Sequence, residues 1–295
     1  MAADESPGEE LLRHILDCAA LERFRSGRAA RIAARHEQRA AEGPAATRDL
    51  HLRMARTHRQ TAGRHESAAA VHAAFAARLI TMLDDVAPRN ATSLFMTAVA
   101  NAAKARGAAL TVFGAQFQEL LCATSDERTK AVQDLEFVCG EGPTLASAAQ
   151  RRVVAATYRE FDEDWPAYGS AATELGVRRV VVVPVEFTAS TSAALTVLDP
   201  PEAGEETGLQ GLRELADVLF HLVLPELRRE AGGWAPLTEA DSRAQVHQAE
   251  GIIAEQLGVA LDDASALLRA RAYSAAVGLD DLAKAVIARR VRFDR

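Results

Sequence analysis

Residues 238–293 read TEADSRAQVHQAEGIIAEQLGVALDDASALLRARAYSAAVGLDDLAKAVIARRVRF. Val246, Ala249, Ile252, Ile253 and Leu257 recur at helical spacing until Gly258 stops the run. Leu261, Ala264, Leu267, Leu268 and Ala272 form a second apolar stripe, closed near Gly278. Leu279, Leu282, Ala283, Val286 and Ile287 form a third, with Phe293 beyond it. Thr238 followed three residues on by Asp241 is a start signal, a near relative of the capping box. With no strand signal and only short loops, the stretch predicts a three-helix bundle over 238–295.

Upstream, across residues 91–230, the pattern mixes two periods. Leu94–Ala105 reads as a helix, Ala108–Phe113 and Phe117–Thr124 as strands joined by the short Gly114-Ala115-Gln116 turn. A helix over Glu127–Phe137 leads to Gly140-Glu141-Gly142-Pro143 and a second short helix. Val153–Ala156, Arg179–Val185 and Ala193–Leu198 read as further strands, with Pro184 predicting a bulge or a missing ladder bond. Glu206–Leu224 closes this region as a helix with Leu209, Leu212, Ala216, Leu219 and Val223 on one face. The sum is an antiparallel sheet with flanking helices.

Further upstream, residues 1–90 are helical. A helix over 9–42 carries six Arg between Arg23 and Arg39 against one acid, Glu37, which reads as the solvated face of a stalk. Gly43-Pro44 interrupts it. From Thr47 to Asp84, His51, His58, His65 and His72 fall every seventh residue, and Leu79 continues the series. Met54, Thr61, Ala68, Phe75 and Met82 lie three residues on, so the two series read as the seam of a heptad repeat. Residues seven apart on a helix stand about 10 Å apart along the axis, which rules out one metal ion shared within the stripe. Asp84-Asp85 reads as a helix end before Pro88. The fold class is therefore α+β, with a coiled-coil-like stalk (1–90), a sheet domain (91–230), a linker (231–237) and the bundle.

The composition of the 295 residues fits this layout, at 48% hydrophobic and 25% charged. No run approaches the roughly 20 apolar residues of a membrane span. The acidic start MAADESPGEE lacks a signal-peptide core, and Cys18, Cys122 and Cys139 are too few and too scattered for a disulfide framework or zinc site. A cytoplasmic protein is expected. Residues 238–295 hold 8 basic and 9 acidic side chains, yet 284–295 hold five basic against one acid, so a near-neutral total conceals a basic end.

The runs HQAEGIIAEQLGV, DDASALLRARA and LDDLAKAVIARR together resemble the ANTAR domain, a transcription antitermination module. The resemblance implies a dimer that binds a leader-RNA stem-loop. On these residues the cations and flat side chains that RNA needs are Arg269, Arg271, Tyr273, Lys284, Arg289 and Arg290, with Gln248 in the first helix. Arg269 and Tyr273, four apart, share a helix face. Glu250 stands where many such domains carry Lys, which would reverse the sign of a phosphate contact. Ala260 replaces a usual Ser cap. GEGP at 140–143, Trp165-Pro166 and LGVRRVVVVPV at 175–185 resemble the GAF domains that precede ANTAR modules in actinobacterial regulators. That resemblance implies a sensor for a small molecule or protein signal, with Trp165 and Arg178 as candidate ligand contacts; this chain has Thr144 where the family often has Cys.

No paired carboxylates, metal-ligand spacing or nucleotide motif is present, so neither an enzyme nor a cofactor is expected. Gly140–Pro143 lacks the Lys-Ser/Thr ending of a phosphate loop and reads as a turn into a helix. Cys139, flanked by Glu136 and Glu141, reads as a packed thiol, and His221 has no nucleophile motif beside it. The expected function is a signal-responsive antitermination regulator. The alternative is a GAF-based signalling protein whose bundle no longer binds RNA.

Overall fold

The computed structural model describes residues 7–83, 91–114, 118–188, 191–201, 205–225, 241–275 and 277–294. In chain order the elements are α1 (Pro7–Glu42), α2 (Ala45–Leu83), α3 (Ala91–Ala102), β1 (Gly107–Phe113), β2 (Glu119–Thr124), α4 (Glu127–Cys139), α5 (Pro143–Gln150) and β3 (Val154–Thr157). There follow α6 (Phe161–Asp164), α7 (Pro166–Glu174), β4 (Arg179–Thr188), β5 (Thr191–Leu198), α8 (Glu205–Val218), which runs on as a short π-helix (Leu219–Val223), and β6 (Asp241–Ser242). The last three helices are α9 (Ala244–Leu257), α10 (Leu261–Ala275) and α11 (Leu279–Ile287). The fold is α+β, as the periodicities predict. The chain gathers into two compact units: Met1–Lys104 with Glu202–Thr238, and Ala105–Pro201 with Glu239–Arg295. The closing helix of the expected sheet region thus joins the stalk, and the bundle joins the sheet.

In the first unit α1 and α2 fold back on each other. Contacts pair Arg48 with Ala40, His51 with His36, Arg59 with Glu37 and His65 with Glu22, an antiparallel order. α1 buries Ile15, Glu22 and Ala29 on one series and Ala19, Ser26, Ala33 and Ala40 on the other. On α2 the histidine series lies on this seam as predicted; Ala68 and Phe75 of the expected companion series are buried, and so are Ala55, Ala62, Ala69 and Ala76, four residues on from the histidines. Met54 is instead 39% exposed. Positions three and four apart border the same stripe, so the sequence alone does not choose between them; small alanines facing a closely packed helix take the inner place. Farther along, Phe75 is buried edge-on against Phe95 of α3, and Arg64 pairs with Asp217 of α8 at 2.5 Å. Asp84-Asp85 lies outside the described residues.

The second unit holds a fully antiparallel sheet in the order β3-β4-β5-β1-β2-β6. Pro184 stays in register opposite Ala194, and the irregularity falls between Glu186 and Thr188. The proline is tolerated because β3 ends opposite Val182, leaving that side of β4 without a further ladder partner. One apolar core lies under α4–α7, built on Phe161, Tyr168, Val180, Val182 and Leu198. A second lies inside the bundle, where Val246, Ala249, Ile253, Ala264, Leu268, Leu282 and Val286 meet and Phe137 and Val138 of α4 pack against them. Two members of the expected second stripe, Leu261 and Leu267, are exposed at 61% and 41%. The expected start at Thr238–Asp241 is also displaced: Asp241 and Ser242 form β6, paired with Cys122 and Leu121, and α9 begins at Ala244. Thr238 lies outside the described residues.

Candidate functional site

The join between sheet and bundle is built around Arg243, the residue at which the chain leaves β6 for α9. Its side chain is 1% exposed. The guanidinium donates to Glu119 of β2 at 2.8 Å and to Asp134 of α4 at 2.7 Å, with Asp280 of α11 at 3.9 Å and the Phe137 ring 4.5 Å away. A buried cation is tolerable only when opposite charges and hydrogen bonds surround it, and here three elements supply them. One turn on, His247 Nε2 bonds the Glu119 carbonyl at 2.9 Å and Nδ1 meets Glu250 at 2.8 Å. The hydrogen bond to Glu250 holds the His247 imidazole above its ordinary pKa against the opposing effect of burial.

Glu250, expected to face RNA with the wrong charge, turns inward. It is 7% exposed and accepts from Ser265 of α10 at 2.5 Å as well as meeting His247. The carboxylate at this position therefore makes internal contacts. Beside it opens a cleft of about 600 Å³ whose walls include Phe113, Glu136 and Phe137 on the sheet side and Glu250, Ser265 and Arg269 on the bundle side.

The GEGP turn frames this cleft. Asp126 caps the start of α4 by accepting from the Thr129 amide, and Gly140 ends the helix with φ +70°, where a side chain would be strained. Gly142 leaves the N-terminus of α5 without a capping side chain, and Glu136 supplies one: its Oε1 accepts from the Leu145 amide at 2.7 Å. A Cβ on Gly142 would come within 2.5 Å of Glu136, so the glycine is required for that approach. Burial pushes the Glu136 carboxyl up to about 7. Thr144 bonds Thr196 at 2.9 Å and accepts from Gln133 at 3.4 Å. Cys139 donates to the Ala167 carbonyl, and burial with Glu141 and Glu136 nearby raises its thiol, which suits the packed reading. His221 is exposed and 3.5 Å from Asp217.

The expected RNA residues separate into two places. Arg269 is half-buried at the cleft, lying against Gly140, where an added Cβ would stand 3.4 Å from its Nη1. Arg271, Tyr273, Lys284, Arg289, Arg290 and Gln248 are exposed, Tyr273 at 71%. Arg271 donates to the Arg292 carbonyl at 3.2 Å and stacks over Phe293, which joins α10 to the basic tail. Among the described residues none of Arg271, Lys284, Arg289 and Arg290 is paired with a carboxylate; Asp280 instead faces Arg243 and Lys130. Trp165 and Arg178 are not brought together. Trp165 packs with Phe161 and Tyr168 in the core, and Arg178 is exposed over the Tyr158 ring. Arg243 and Glu136 escape sequence reading because their partners are distant in the chain and neither lies in a recognisable motif.

Residues 238–287, which take in β6 and all three bundle helices, match the family profile of the ANTAR domain. No curated relative matches the chain. Among solved structures, an N-acylhomoserine lactone dependent LuxR family transcription factor, CepR2 from Burkholderia cenocepacia, is similar at 15% identity and a TM-score of 0.40, over 56% of this chain and 98% of that one. Escherichia coli SdiA is similar at 14% identity and a TM-score of 0.35, over 75% and 99% of the two chains. SdiA in complex with octanoyl-rac-glycerol gives 15%, 0.37, 72% and 94%. At such TM-scores these likenesses do not establish a shared fold. No helix among the described residues is long and apolar enough to cross a membrane.

Proposed function

We propose that this protein is a cytoplasmic, dimeric, signal-responsive transcription antitermination regulator. Its sheet acts as a GAF-like sensor and its C-terminal bundle binds leader-RNA stem-loops. The observation that carries this reading is the set of exposed cations on the ANTAR-matching segment, Arg271, Lys284, Arg289 and Arg290, none held by a carboxylate among the described residues, beside the exposed ring of Tyr273. Unpaired cations are what phosphates recruit, and a free aromatic face is what an unstacked loop base stacks on. The inward turn of Glu250 supports the reading further, because no carboxylate from that position opposes phosphate.

Titration of a stem-loop RNA carrying two hexanucleotide loops, at rising salt, tests it. Binding should weaken steeply, with a log–log slope near −3 for about four phosphate contacts at roughly −0.7 each. Arg289→Ala with Arg290→Ala should make that slope shallower by about 1 to 2. Absence of binding at low salt would overturn the reading and leave a signalling protein with an RNA-silent bundle.

A further inference from the structure

The cleft between sheet and bundle presents an acid, Glu136, and a cation, Arg269, that no described residue neutralises. Its cavity of about 600 Å³ is within the range that encloses small organic ligands. On the sheet side Glu136 is 6% exposed, and while Oε1 takes the Leu145 amide, Oε2 has no hydrogen-bond partner among the described residues. On the bundle side Arg269 reaches the cleft with neither ion pair nor hydrogen bond to a described residue, whereas the neighbouring Glu250 is already satisfied by His247 and Ser265. Phe113 and Phe137 line the space between as apolar surface.

We propose that this cleft binds a small zwitterion with an apolar side chain, an α-amino acid in chemical class. Its ammonium faces Glu136, its carboxylate faces Arg269, and its side chain lies along Phe113 and Phe137. Asp262 also lines the cleft but is exposed to water, so at the buried faces a purely cationic ligand would leave Arg269 unmatched and a purely anionic one Glu136. A ligand carrying both charges satisfies the two walls at once, and because they belong to the sheet and to the bundle it joins them. Arg269 is also among the cations expected to face RNA, so occupancy of the cleft withdraws it. That regulatory consequence rests on the RNA reading; the site itself does not.

Calorimetric titration of the full chain with L-phenylalanine and L-leucine tests the site without RNA. Phenethylamine and 3-phenylpropionate, which keep the ring and one charge each, serve as comparators. At least one amino acid should bind, and the single-charge analogues should bind about tenfold or more weakly, as expected when one buried charge is left unmatched. Arg269→Gln should reduce amino-acid affinity about tenfold while the protein stays folded, since that side chain is half-buried and holds no internal bond; Glu136→Gln should do the same. The proposal is overturned if neither amino acid binds at about 10 mM, if a single-charge analogue binds as well, or if Arg269→Gln leaves affinity unchanged. RNA titration is a separate measurement, so failure of one result leaves the other standing.

Discussion

Glu136 does two things that its place in the sequence does not announce. It supplies the missing cap of α5, and it does so as a carboxyl held at about 7 by burial. An acid whose pKa is raised on folding favours the folded state most at low pH, and that contribution is lost as pH rises from about 4.5 through 7. The shift corresponds to about 3 kcal/mol, withdrawn in full by about pH 8. Glu136→Gln keeps an oxygen for the Leu145 amide and removes the titration. The variant should therefore be more stable than the parent at about pH 8 and show a flatter profile between about pH 5 and 8. Urea unfolding read through Trp165, in a Trp234→Phe background, measures this; an unchanged slope would show that the carboxyl titrates elsewhere. Glu250 teaches a related lesson. As a motif departure it is legible in the sequence, but its consequence depends on side-chain direction, which only the packing of α9 against α10 decides.

At the scale of elements the sequence was legible wherever one period ran for several turns. The bundle helices, the hairpin strands and both long helices fall within a few residues of where spacing puts them. What spacing does not carry is the choice between neighbouring stripes and the identity of the partner. In α2 the histidines lie on the seam and the expected Ala68 and Phe75 are buried, while toward its start alanines four residues on take the inner place and Met54 is exposed. In α10 the outer leucines face solvent because the bundle is small and its core is filled by residues nearer its axis. The fold-back of α1 onto α2 also brings together histidines far apart in sequence: His36 Nδ1 is 3.1 Å from His51 Nδ1, and its ring stacks on His58 at 5.8 Å. Loss of hydration, then the neighbouring His51, His58 and Arg39, lower the His36 pKa. A histidine lowered on folding opposes the folded state as pH falls below its ordinary value, so the hairpin loses stability on acidification below about pH 6.5. His36→Gln should narrow the difference in melting temperature between about pH 7.5 and 5.5. Equal differences in parent and variant would remove His36 as the origin.

Over the whole molecule, the histidine shifted in the first unit and the groups shifted in the second act on stability in opposite senses. The first holds His36, lowered on folding, whose effect opposes the folded state in acid. The second holds Glu136 and His247, both raised on folding, whose contributions are present in mild acid and lost as pH rises. Amide hydrogen exchange between about pH 5.5 and 8, corrected for intrinsic rates, should therefore show α1 and α2 gaining protection with pH while α4, α5 and α9 lose it. Changes of the same sign in both units would contradict the assignment. The two-unit division itself was not legible, because it joins stretches separated by a hundred residues or more, such as β2 with α9. The contacts responsible, Arg243 to Glu119 and His247 to the Glu119 carbonyl, are single side chains without periodicity.

The two residues of β6 have a consequence for anyone cutting this chain. Asp241 and Ser242 cover the outer edge of β2, and Arg243 just beyond them neutralises Glu119. A fragment ending before them would leave β2 as a bare edge strand, with Leu120 already exposed and the bond from Arg243 to Glu119 lost. Such an edge recruits strands from other molecules. Excised without β6, the sheet should self-associate more readily than the full chain, and light scattering that shows no difference would refute this.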